Sequence, residues 1–169
     1  MGDALIEDLL ASRPAAPVIR RLAPDSYKSG AGRRSFFDYR NLDIGALTNQ
    51  RFGLGMFRAR NQGDLLEPTG WHYHVLEMQI GLYLTGFIDI LFEDGRSLRV
   101  NGGDCMFLPP GFRHNEIRKS ADLSGVEITI PTKIETVTCD PPPAFANADY
   151  DSLRADIERR ARAGEFTTR

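Results

Sequence analysis

From residue 36 onward, apolar and polar positions fall into short alternating runs broken by glycine, proline and acidic turn residues. Such runs predict strands, because successive side chains on a strand point to opposite faces. They place strands at 36–39, 52–60, 71–76, 79–84, 87–92, 97–100, 105–108, 114–118 and 125–130. Glu93-Asp94-Gly95-Arg96 predicts a hairpin, since Asp-Gly tolerates the positive φ angles of a tight turn. Many short strands with few helices between them argue for an all-β sandwich or barrel, not for alternating βα units.

The two ends of the chain follow a different pattern. Residues 1–12 read as a short amphipathic helix with Ala4, Leu5 and Leu9 on one stripe, stopped by Pro14 and Pro17, and Gly30-Ala31-Gly32 reads as a loop. After Pro141-Pro142-Pro143, residues 151–163 read as a helix with Leu153, Ile157 and Ala161 on one side and Gly164 as its stop. That helix is expected to strap the barrel or a partner subunit. The resulting division is an N-terminal arm with a short helix over 1–35, a β-barrel over 36–140, and a proline-rich linker and helix over 141–169.

Composition narrows the function. A chain of 169 residues suits one domain, and 41% hydrophobic with 26% charged residues is an ordinary globular balance. A formal charge of -2 without a basic patch excludes nucleic acid as the expected partner and leaves a small organic ligand. No apolar run approaches the ~20 residues that span a bilayer. Asp3, Glu7 and Asp8 stand where an export signal needs basic residues and then an apolar stretch, so a cytoplasmic protein is expected. Cys105 and Cys139 are far apart and form no metal-type pair; the expected reducing compartment argues against a disulfide.

The chemistry rests on three histidines. His72 and His74 lie in Gly70-Trp71-His72-Tyr73-His74-Val75, and on a strand residues two apart share a face, so both imidazoles can approach one ion. A short turn then returns Gln79 on what is expected to be the neighbouring strand. His114 follows Leu108-Pro109-Pro110-Gly111-Phe112-Arg113 in a turn-then-strand arrangement.

These residues resemble the two-part signature of the cupin superfamily, G-x5-H-x-H-x3,4-E-x6-G followed by G-x5-P-x-G-x2-H-x3-N. His72, His74, Gln79 and Gly86 keep the spacing of the first part, and Gly103, Pro109, Gly111 and His114 that of the second, with a compact gap similar to that of small single-domain bacterial cupins of the conserved-barrel type. The resemblance implies a double-stranded β-helix, or jelly-roll, barrel. It also implies one divalent transition metal ion (Zn, Fe, Ni, Mn or Cu) held by His72, His74, Gln79 and His114. Three departures stand out: Leu66 replaces the first glycine, Arg118 replaces the final asparagine, and Gln79 replaces the usual glutamate unless Glu77 takes its place by a shifted register. Spacing to His74 and Gly86 favours Gln79.

A neutral amide leaves the charge of the ion uncompensated, which favours anionic or chelating oxygen ligands. Tyr83 shares strand parity with Gln79 and is either a core residue or a phenolic proton donor. Glu127 is the best candidate acid or base if its strand face lines the barrel, and a solvated charge if it does not. Trp71, Tyr73 and Val75 have the opposite parity to the histidines and need covering, by the N-terminal segment or a second subunit; similar barrels are commonly dimers. The Arg33-Arg34 pair reads as solvated surface, and Met106, Phe57 and Phe107 read as core. Two functions follow: a metal-dependent lyase, isomerase or dioxygenase acting on a small oxygen-rich substrate that chelates the ion, or a non-catalytic module that binds or senses a small ligand in the same cavity.

Overall fold

The alternating runs become two antiparallel sheets in a computed structural model that describes residues 16–23, 25–29, 34, 36–60 and 67–167. The helix expected over 1–12 and the loop at 30–32 lie outside the described residues. Eleven strands are described: β1 (Lys28–Ser29), β2 (Phe37–Asn41), β3 (Gly53–Ala59), β4 (His72–Val75), β5 (Met78–Thr85), β6 (Phe87–Phe92), β7 (Ser97–Asn101), β8 (Cys105–Leu108), β9 (His114–Lys119), β10 (Ser124–Ile130) and β11 (Glu135–Thr138). One sheet runs β1-β2-β3-β10-β5-β8 and the other β11-β4-β9-β6-β7. Consecutive strands thus often belong to opposite sheets, and the two face each other as a jelly roll.

Between the sheets lies a core of Phe37, Tyr83, Ile88, Ile90, Phe92 and Leu108. These are the inward members of each alternation, and their burial is the main force that sets strand register. The turn after Phe92 is the expected hairpin, with Gly95 at φ 89°. Gly86 links β5 to β6 at φ 70°, where a Cβ would stand 2.7 Å from the Leu123 backbone, so only glycine fits the crossing.

A second apolar cluster covers the outer face of the β4-β9-β6 sheet. Trp71, Leu91 and Ile117 pack there against Phe145 and against Ile157 of α1 (Tyr150–Arg162). Asp149 caps the helix by accepting from the Asp151 N–H, and Gly164 follows its end at φ 78°. Polar anchors surround the apolar seat. Arg99 donates to Asp89 at 2.7 and 3.0 Å and to Glu158 of α1 at 2.9 Å, and Arg118 reaches the same Glu158 at 3.0 Å. Arg118, the residue that replaces the motif asparagine, thus faces away from the barrel interior and fastens the helix. Of the expected covers for Trp71, neither the N-terminal segment nor a second subunit is needed: the chain's own C-terminal segment buries it. Val75 on the same face stays 51% exposed.

Phe107 departs from expectation, being 55% exposed on the outer face of β8. It alternates with Met106 and Leu108, which point inward, and an edge strand has no neighbour on one side to cover its outward residues. Among the described residues no helix is long and apolar enough to cross a membrane.

Candidate metal centre

His72 and His74 share the inner face of β4, and His72 is the register partner of His114 on β9. The three rings are buried, and one ring nitrogen from each lies within 4.8 Å of the other two. Their orientation follows from what the other nitrogen meets. His72 Nδ1 faces the Gly70 carbonyl at 2.8 Å and His114 Nδ1 the Phe112 carbonyl at 3.0 Å. A carbonyl only accepts, so each Nδ1 carries the proton and each Nε2 keeps a lone pair for the cavity. His74 Nδ1 pairs with the Thr136 hydroxyl at 3.0 Å. Thr136 lies on β11, a strand the sequence pattern did not predict, directly opposite His74.

Burial pushes the His72 imidazole down to about 4, with Glu116 pulling the other way, so the ring is neutral near pH 7. A neutral ring is the form that ligates metal.

Gln79 reaches the same cavity from the opposite sheet. The turn at 76–77 crosses from β4 to β5 instead of pairing them, which corrects the expectation of a neighbouring strand. Glu77, the alternative in the shifted register, is exposed in that turn, whereas Gln79 is buried. The Gln79 Nε2 donates to Glu127 Oε1 at 2.7 Å, and its Oε1 is buried with no hydrogen-bond partner among the described residues. An amide oxygen held in place by its own nitrogen and left without a donor suits a cation. Three imidazole lone pairs and this orphaned acceptor therefore fit a divalent transition metal ion.

Replacing Gln79 by glutamate would set two carboxylates against each other at that 2.7 Å contact. The metal-free variant is expected to lose on the order of 1–3 kcal/mol and to recover more than the wild type on zinc addition. Thermal melts with and without zinc check this, and identical shifts in both proteins would remove Gln79 from the ion's surroundings.

Glu127 and Tyr83 both line the cavity with His74 and His114. Glu127 occupies an inner-face position between Gly55 and Gly81 of the flanking strands, which leave its side chain room. Of the two orientations the sequence left open, the inward one holds. Burial first, then Glu116 and Glu127, pushes the Tyr83 phenol well above its ordinary value, so it keeps its proton.

Two residues of the site were not anticipated. Glu116 sits two positions beyond His114 on β9, shares its inward face, and places carboxylate oxygens 3.7 Å from His72 Nε2 and 4.0 Å from His114 Nε2. Burial opposes its ionisation, but Arg34, His114, His72 and the Thr69 hydroxyl outweigh it, so the carboxyl lies far below the usual range. Strand parity with His114 was the available signal. Arg34, expected on the surface, instead donates through Nη2 to His72 Nε2 and pairs with Glu116 at 3.5 Å. Nothing local marks this, because the contact joins residues 38 positions apart. With Arg34 over it the cavity measures about 70 Å³, space for a handful of waters.

No family model and no curated protein matches the chain. Among solved structures it is similar to the polyketide cyclase RemF from Streptomyces resistomycificus, at 19% identity over 80% of this chain and 98% of that one, with a TM-score of 0.54. It is also similar to a cupin 2 conserved barrel domain protein from Salinispora arenicola, at 20% identity over 67% and 87% of the two chains with a TM-score of 0.50. The plu4264 protein from Photorhabdus luminescens gives 19% identity over 67% and 87%, again with a TM-score of 0.50. Likeness at such identities is one of fold.

Proposed function

We propose, from the premise that this chain is a cupin by fold, that it is a metal-dependent enzyme acting on a small, oxygen-rich substrate that chelates the ion. The observation that carries this reading is the convergence of three buried imidazole nitrogens, with His74 and His114 lining one cavity together with Gln79 and its orphaned oxygen. His72, His74, His114 and Gln79 would hold the metal. When bound, a divalent ion supplies Lewis-acid polarisation of a coordinated oxygen, and iron or copper would add redox chemistry.

The chain's own residues do the rest. Glu127, fixed at Oε1 by the Gln79 amide, is the group that takes or returns a proton within the cavity. Tyr83 stays protonated and donates a hydrogen bond. Phe37, Ile90 and Leu108 keep bulk water from the interior side. Proton-transfer groups beside the imidazoles favour catalysis over the alternative of a ligand-binding or sensing module, which has no need of them. Likeness to RemF at 19% identity is one of fold, so its substrate class is not carried over. A homodimer, the state implied by the resemblance in sequence, is part of this reading.

The test uses metal-loaded protein, small hydroxy and keto acids, and NMR detection of product. Glu127→Gln is expected to keep its metal while turnover falls by about 10²- to 10⁴-fold. Turnover equal to the wild type would remove Glu127 from the chemistry, and ligand binding with no turnover in the wild type would establish the binding module instead.

A further inference from the structure

We propose that Arg34 is the specificity-determining residue of the cavity, its guanidinium receiving the carboxylate of an anionic ligand at the metal centre; this rests on the metal reading given above. Arg34 is the one cationic side chain among the described residues that line the cavity, and it pairs there with Glu116. It is 16% exposed, at the cavity's edge and not in open solvent. Its Nη2 is committed twice, to His72 Nε2 and to Glu116 Oε2. Its Nε and Nη1 make no hydrogen bond with a described residue.

Two physical consequences follow from that placement. The His72 Nε2 carries one lone pair, and it cannot serve both a metal ion and the Arg34 N–H. Seating the metal therefore displaces Nη2 and frees the guanidinium edge, whose adjacent N–H groups match the two oxygens of a carboxylate. Charge points the same way. The guanidinium sets a permanent positive charge at the cavity's edge, which favours an anionic ligand over a neutral one of the same shape, and that preference is lost with Arg34.

With His72 engaged by an ion, the guanidinium would change partner, from that ring to a carboxylate. Sequence reading set Arg34 aside as surface because its role depends on a contact across the fold.

The test compares wild type, Arg34→Gln and Arg34→Lys by calorimetric titration. Zinc is titrated first, then malonate and its neutral diamide are titrated into the zinc-loaded proteins. Arg34→Gln is expected to bind zinc several-fold more tightly, because nothing contests His72, and to lose about tenfold or more of the malonate-over-malonamide preference. Arg34→Lys should restore part of that preference, since it keeps the charge but not the fork. An unchanged preference, or weaker zinc binding in Arg34→Gln, overturns the assignment of Arg34 and leaves the metal reading intact. Failure of the wild type itself to bind zinc, manganese or iron overturns both.

Discussion

Replacing His74 with alanine is expected to give a folded protein that retains no stoichiometric metal. The ring lies buried with its Nε2 side toward His72 and His114, their centroids 5.2 and 5.1 Å away. Two imidazoles and an amide oxygen remain, too few for a closed tetrahedral set. Loss of a directly ligating group should exceed the 10- to 100-fold typical of removing an outer hydrogen bond to a ligand. The fold should survive, since the core between the sheets draws on Ile88, Ile90, Phe92 and Leu108, none of which needs the ring. Thr136, only half-buried on the edge strand β11, loses a hydrogen bond, at a cost of about 0.5–1.5 kcal/mol. Elemental analysis against protein concentration, with far-ultraviolet circular dichroism as the folding control, measures both. Metal content equal to the wild type would show that the three rings do not hold it.

Trp71→Ala is expected to cause the largest loss of stability, about 3–5 kcal/mol by urea unfolding. Trp71 is 3% exposed, and its ring centroid lies 5.4 Å from that of Phe145. It shares a cluster with Leu91, Ile117 and Ile157, so truncation opens a void where sheet and helix meet. Phe107→Ala removes an equally apolar ring that is 55% exposed, and surface substitutions of that kind stay within about 0.5 kcal/mol. Equal losses in the two variants would mean that α1 contributes little to holding the barrel. Because Trp71 immediately precedes His72 at the start of β4, loosening there should also weaken metal retention, which ties the outer cluster to the inner site.

The strands and the imidazole triad were legible because both depend on local periodicity. Residues 87–92 and 105–108 are short apolar runs bounded by glycine, proline and acidic turn residues, and β6 and β8 occupy those bounds. The H-x-H pair needed only strand parity, and His114 joined it through the signature that Gly103, Pro109 and Gly111 share with cupins. Strand β11 escaped because Glu135–Thr138 has little apolar character to alternate, and it forms by pairing with β4. Glu116 was within reach of the parity argument used for His72 and His74, since it lies two positions beyond His114. Arg34 was not, since no pattern along the chain links residue 34 to residue 116.

What the sequence determined by itself is the all-β architecture, the shared face of the H-x-H pair, and, through the signature it resembles, the three histidines as a converging set. These depend on period-two alternation and short turns, which act over a few residues. Tertiary structure alone decided that Gln79 comes from the opposite sheet, that α1 covers Trp71, and that Arg34 lies against His72 and Glu116. Those contacts join residues far apart in the chain, and their energy comes from burial and charge pairing that exist only once both sheets have closed.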